Sequence, residues 1–411
     1  MKYLLTIITA FCLLQAWGQS ERKEITPLVQ TAWGLRAPYY DLCPVINGQH
    51  CETGCVATAM AQVMRYYQHP KESPAISGYT TSAYHIVMNE LPATTFDWDN
   101  MTLTYGSGST EAECTAVAKL MQYCGAAVKM DYTPGGSAAW ESDAMVALES
   151  LFGYALSTRE LYRYMFDDVA WENILYNELR KGRPIIYGGM PSGWEHQFVC
   201  DGYKDGKFHF NMGWTFKPSG YYGINEIDDY NFHSAIVGIK KGDGFVYGRT
   251  FTIGSLAYTI IDSDEVSVCS DKDSKPQGDV VIPATVEYEG ATYNVTIIEY
   301  EAFCDNSELS SLSIPATVYA ISREAIKNCS NLSTITVDEG NTAYHVVNGS
   351  LMNITDAEVI ARTATAINSV RTASVATPSH YYTLSGIDTP HPRGLVITSG
   401  PRCLKTFRIP F

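Results

Sequence analysis

The alternation of apolar and polar residues predicts several distinct elements. Between Cys55 and Gln68 the residues are good helix formers, and Ala57, Met60, Ala61 and Met64 recur at helical spacing. Thr53 is placed to cap this helix and Pro70 to stop it, so Cys55 falls in its first turn. Further along, the runs Glu195–Tyr203 and Phe208–Trp214 alternate with a period of two on either side of Asp205-Gly206, a hairpin signal. At the N-terminus, Lys2 precedes an apolar run from Tyr3 to Trp17. About fifteen residues is short for a bilayer span and suits a secretory signal, mature from about residue 19. The alternative is a buried first element of the fold.

Beyond Lys241-Gly-Asp-Gly-Phe245, read as a linker or hairpin, aromatics thin out and Ser, Thr, Ile and Val dominate. Here the chain repeats. Ile298, Ala302, Leu309 and Leu312 match Ile321, Ala325, Leu332 and Ile335, each 23 residues later. Ile-Pro-Ala-Thr-Val occurs at 282–286 and again at 314–318, so the first unit is longer and is enlarged by a hairpin around Glu289-Gly290. Such spacing is the mark of leucine-rich repeats, and with Leu309–Pro315 and Gly340–Tyr344 the segment resembles the BspA-like type. Roughly two units are too few for a free solenoid, so the array is expected to lean on the preceding domain. An ordinary small β-domain is the plainer reading. The expected organisation is a signal over 1–18, a region rich in Tyr, Trp and helical patterns over 24–241, a β-rich region over 246–355 with repeats at about 280–355, and a tail over 356–411. Tyr381–Gly386 and Pro392–Ile397 in the tail read as short strands, either a sorting segment or an edge hairpin.

Composition narrows the class. The 411 residues carry a net charge of −15, which argues against nonspecific binding to nucleic acid or an anionic membrane. After Tyr3–Trp17 no segment is apolar enough to span a membrane. Of the 11 cysteines, Cys12 lies in the expected signal, and none of the rest forms a C-x-x-C pair or zinc-ribbon spacing. HExxH, P-loop and dinucleotide fingerprints are absent, so no metal or cofactor is expected.

Nucleophilic chemistry has local support. A thiol in the first turn of a helix meets unpaired N–H groups and the positive helix end, which favour the thiolate. Cys55 is therefore a candidate nucleophile, or else a structural cysteine, free or paired with Cys51 or Cys43. A thiolate needs a base and the base an orienter. His196 on one predicted strand and Asn211 on the other suit those roles. A two-residue turn would set Asn211 opposite Cys200, on the face of His196 but ~13 Å along the strand. A bulge or another register is then required. His50 and His209 are rival bases.

These residues resemble the streptopain-like cysteine peptidases. The resemblance runs in order through Pro38-Tyr39, Cys43-Pro44, Thr53–Gln62, Met130–Tyr132, Gly136-Ser137, Trp171, Gly182–Pro184, His196–Val199, Asp201-Gly202, His209–Trp214 and Ser234–Gly238. It implies an α+β fold: a papain-like two-lobe peptidase domain, followed here by the small β-rich repeat domain. It further implies Cys55 as nucleophile, His196 as general base and then acid, Asn211 as orienter, and a substrate cleft lined by Gly136, Ser137 and Trp214. An apolar substrate residue preceding the cleaved one is also implied. Four departures stand out. Leu35 occupies the place of the oxyanion-hole glutamine, for which Gln49, six residues before Cys55, is a candidate substitute. Glu195 and Gln197 flank the histidine where Gly and Ala are usual. Met212 replaces a tryptophan after the asparagine. Only about seven residues separate the expected signal from the first family-like residue, so a separate inhibitor, folding after export or weak activity takes the place of an inhibitory propeptide.

The leading expectation is an exported or surface thiol endopeptidase acting on protein or peptide substrates through a thioester. A second is a papain-like domain with weakened chemistry, holding a protein or carbohydrate ligand through its repeats. A third is the same thioester chemistry used for transpeptidation or amide hydrolysis.

Overall fold

The structure, a computed structural model, describes residues 22–155, 157–189, 196–213, 218–227, 232–245, 247–271, 275–360, 381–383 and 396–398. The expected signal, Glu195, Trp214 and most of the tail lie outside these; within the tail, Tyr381–Thr383 pairs antiparallel with Val396–Thr398.

Four helices, α1 (Cys55–Tyr67), α2 (Glu111–Ala127), α3 (Glu141–Ser150) and α4 (Asp168–Arg180), accompany a six-stranded sheet. Its strands are β1 (Arg159–Tyr162), β2 (Ile185–Gly189), β3 (His196–Lys204), β4 (Lys207–Asn211), β5 (Gly220–Tyr222) and β6 (Ser234–Val237). They lie in the order β5-β4-β3-β2-β6-β1, every neighbouring pair antiparallel. Alternating side chains feed two cores. Ile186, Val199 and Ile236 join α1, α2 and α3 in one cluster. Ile185, Phe198, Cys200 and Phe210 join Trp171, Ile174 and Leu175 of α4 in another. The sheet is thus apolar on both faces, which explains why β3 is almost wholly buried.

The β-rich region begins with β7 (Thr250–Ile253), β8 (Leu256–Ile260) and β9 (Glu265–Cys269), followed by β10 (Gly278–Val281), β11 (Thr285–Tyr288) and β12 (Ala291–Ile298). After these come β13 (Leu309–Ile314), β14 (Ala320–Ile321) and β15 (Thr334–Val337). The repeat is directly visible as parallel pairing: Ile298 sits opposite Ile321, and Leu312 opposite Ile335. At the longer offset Val280 sits opposite Leu312 and the Ile282 amide donates to the Ser313 carbonyl. The extra length is the β11–β12 hairpin, turned by Glu289 and Gly290, both at positive φ. The array does lean on the preceding region. Ile261, Ile297 and Ala320 belong to the cluster of Trp171, and Arg323 donates through Nε to the Phe166 carbonyl at 2.8 Å.

Candidate active site

Helix α1 starts at Cys55 as its periodicity predicts, but its cap differs. The N-cap is Gly54, with φ of 83° and no side-chain cap. A β-carbon there would lie 2.5 Å from the Met130 sulfur, so both backbone conformation and space require glycine. Thr53, expected as the cap, stands one residue too early; its hydroxyl meets the Thr58 hydroxyl at 2.9 Å. With Gly54 contributing no side chain, the first-turn amides and the positive helix end lie by the half-buried Cys55. Cys43 and Cys51 are fully enclosed, and burial pushes the Cys43 thiol up to about 12, the behaviour of inert core thiols.

His196 opens β3 and is 2% exposed. Its Nε2 lies 3.0 Å from the Met212 carbonyl. Burial pulls the imidazole from 6.5 down to about 4, the Met212 bond offsetting only part of that. The ring is therefore neutral near pH 7, the state a base needs. Beyond Met212, a β-carbon on Gly213 would lie 3.5 Å from Thr58 and from Gln62 of α1. Thr58 also donates to the Gly54 carbonyl, within a turn of Cys55. The Met212-Gly213 segment thus links the imidazole to the helix start.

Asn211 does not meet His196. The β3–β4 register shifts between His209 and Phe210, which sets Asn211 opposite Val199 instead of Cys200. A bulge was required by the sequence and is present, but it changes parity: Val199 is three residues from His196, so Asn211 turns to the other face. There its amide donates to the Thr31 carbonyl and its Oδ1 accepts from the Gly213 amide. A backbone carbonyl has taken the partner position expected of Asn211. No residue letter could have signalled this, since every residue has that group.

Of the remaining expected residues, Ser137 and Leu35 meet the segment that leads into the helix. Ser137 is buried; its Oγ donates to the Glu52 carbonyl at 2.6 Å, and its own carbonyl lies 3.1 Å from where a Gly54 β-carbon would sit. Gly136, at φ of 137°, has open space at its β position. Leu35 is half-buried, and its carbonyl accepts from the Thr53 amide at 3.2 Å. Gln49 is exposed, opposite Ile46 in a two-residue ribbon. Of the rival bases, His50 stacks on Tyr40 and His209 is bonded to Asp201 at 2.6 Å. Among the described residues no group of three or more His, Cys, Asp and Glu could hold a metal ion, and no helix is long and apolar enough to cross a membrane.

The chain is similar to proteins of known activity. The profile of the peptidase C10 family matches residues 33–222. Streptopain of Streptococcus pyogenes is 32% identical over 234 residues, covering 49% of this chain and 58% of streptopain. The thiol protease/hemagglutinin PrtT of Porphyromonas gingivalis is 26% identical over 338 residues, 74% of this chain and 39% of PrtT. The chain thus spans less than two thirds of either relative. The solved structure of interpain A cysteine protease from Prevotella intermedia is 34% identical, with a TM-score of 0.48, over 52% of this chain and 94% of that one. On the profile match, with the streptopain identity beside it, residues 33–222 belong to the peptidase C10 family, the streptopain family of cysteine peptidases.

Proposed function

We propose that the chain is an exported cysteine endopeptidase in which Cys55 is the nucleophile and His196 the general base and then acid. The observation that carries this reading is a buried, neutral imidazole joined through Met212-Gly213 to the first turn of the helix that begins with Cys55. Cys55 Sγ attacks the scissile carbonyl carbon as its proton passes to His196. The first-turn amides of α1 stabilise the resulting oxyanion. The C–N bond then breaks, the leaving amine takes the proton from His196, and a thioester remains. Water, deprotonated by His196, attacks the thioester and releases the acid and the thiol. The Met212 carbonyl holds the imidazole tautomer, and Asn211 holds Met212-Gly213 against Thr31. Gly136 and Ser137 serve as the cleft wall, and Gln49 serves as an oxyanion donor only if its ribbon moves.

That exposure of Gln49, with Leu35 at the helix start, favours a second reading: a papain-like domain of weakened chemistry that binds partners through its repeats. Labelling the chain over residues 19–411 with an epoxide thiol inhibitor separates the two, with casein hydrolysis followed in parallel. Stoichiometric adduct on Cys55, lost in His196→Ala, with casein cleavage supports the peptidase. An unreactive Cys55 under mild reduction overturns it.

A further inference from the structure

An amide in the middle of α1 ties the N-terminal segment to the backbone that meets His196. Gln62 lies about two turns beyond Cys55 and is wholly buried. Its Oε1 accepts from the Thr31 hydroxyl at 2.8 Å and, more weakly, from the Trp33 amide at 3.4 Å. A backbone amide can only donate, so the Gln62 oxygen faces segment 25–33 and Nε2 faces the other way. A β-carbon on Gly213 would lie 3.5 Å from that nitrogen. Among the described residues Nε2 is buried with no hydrogen-bond partner. Methionine would fill the same place without an unmatched donor. What the amide adds is an acceptor for Thr31 and Trp33.

Segment 25–33 is strapped along β3 before it reaches the helix. Ile25 bridges Tyr203, and the Leu28 amide donates to the Asp201 carbonyl. The Val29 amide donates to the buried Asp201 carboxylate at 2.9 Å. Thr31, itself buried, then makes two bonds. Its hydroxyl goes to Gln62, and its carbonyl accepts the Asn211 amide, whose Oδ1 accepts from Gly213. The Trp33 carbonyl lies 3.8 Å from the β position of Gly213. Gly213 thus has α1, the strap and Asn211 as neighbours, and the carbonyl just before it, of Met212, meets the His196 ring. We infer that Thr31 and Gln62 are positioning residues for catalysis. They fix the strap against α1, and the strap fixes Asn211 and with it Met212-Gly213. The Met212 carbonyl in turn holds the imidazole as the base. The inference rests on the peptidase reading, and it gives the strap a part in catalysis that pairing with β3 alone would not.

Met212 offers the ring only a carbonyl, so Nε2 of His196 carries the proton of that bond. The test follows this proton by NMR of isotope-labelled histidines in the chain over residues 19–411, assigned by its loss in His196→Phe. In parallel, kcat and KM are measured on a casein peptide. Thr31→Val removes the hydroxyl at nearly constant shape, Gln62→Met removes the acceptor, and Thr31→Ser retains the hydroxyl. In the first two, the Nε2 proton is expected to exchange with water about tenfold faster and kcat to fall about tenfold, with KM within about twofold. Thr31→Ser should keep both near the unsubstituted values. An unchanged kcat in folded Thr31→Val or Gln62→Met overturns the inference, and so does a loss that Thr31→Ser shares. A loss confined to KM, or a failure of both variants to fold, would assign the two residues to the cleft or the scaffold and overturn it equally. An unsubstituted chain that cleaves no peptide sinks the peptidase reading instead, while the Nε2 proton still decides whether Thr31 and Gln62 hold the ring.

Discussion

A histidine closed off from water takes up a proton reluctantly, and that has two measurable consequences for His196. Its ring falls to about 4 in the folded chain, against 6.5 when unfolded. The unfolded chain therefore binds this proton first as pH drops. Stability is intact above pH 6.5 and is lost below it, by up to about 3 kcal/mol near pH 4, a loss that His196→Phe should lessen in denaturant titrations. On the same basis the acid limb of kcat/KM should be centred near pH 4; a limb at 6.5 would show a solvated imidazole. Asn211 makes the contrasting case. Its amide holds the Thr31 carbonyl and the Gly213 amide, so Asn211→Ala should cost about 1–3 kcal/mol of stability. The position of the acid limb should stay where it was, whereas a true orienter would move it. The identities of Cys55 and His196 as candidates were legible in the sequence, because side-chain chemistry is written in residue letters. The partner of His196 was not, because it is a main-chain carbonyl.

At the scale of elements, α1 shows what periodicity does and does not reveal. Its start at Cys55 follows from the spacing of Ala57, Met60, Ala61 and Met64, while its glycine cap depends on Met130 and Ser137 arriving from elsewhere in the chain. Gly54→Ala adds a β-carbon 2.5 Å from the Met130 sulfur at a positive φ. Backbone strain alone contributes about 1–2 kcal/mol, so a loss of at least that size is expected in thermal unfolding, with slower alkylation of Cys55. The repeats are the opposite case. A 23-residue match in sequence becomes a parallel rung in space, since like positions of successive turns stack. Leu312→Ala removes a fully enclosed side chain paired with Ile335 and should cost about 2–5 kcal/mol in urea titration. A cost below 1 kcal/mol would mean that the rung is loosely packed. The β3–β4 pairing lies between these cases: the hairpin was legible from Asp205-Gly206, but the bulge that decides which face Asn211 takes was not.

In the whole molecule, the repeat region is joined to the peptidase region by both apolar packing and charge. Asp262 accepts Lys181 and Arg183 at 2.8 Å and Lys240 at 3.0 Å, and Arg183 also meets Glu178 at 2.9 Å. Burial alone would raise the Asp262 carboxyl, but the Arg183 and Lys181 cations outweigh it and hold the group well below the usual carboxylate range. Its stabilisation is thus present above pH 4 and fades only in stronger acid. Asp262→Asn removes the shared carboxylate but leaves Lys181 with Glu265, Arg183 with Glu178 and Lys240 with Asp243, and should cost about 1–3 kcal/mol. A chain ending at Lys241 would also expose Trp171 and its neighbours where Ile261, Ile297 and Ala320 now cover them. Such a fragment should unfold at lower temperature or aggregate; a fragment as stable as the full chain would show that the two regions fold independently.

Residue letters and their spacing determined the helix bearing Cys55, the strand bearing His196, the family that residues 33–222 match, and the repeat and its register. Each is a local pattern or a period, and both are properties of a linear string. Tertiary structure decided the glycine cap, the face on which Asn211 lies, the carbonyl that meets His196, and the meeting of Gln62 with Thr31. Those contacts join residues far apart in the chain or use backbone groups common to all residues. Only packing brings them together, because a buried polar group must find its partner wherever the fold supplies one.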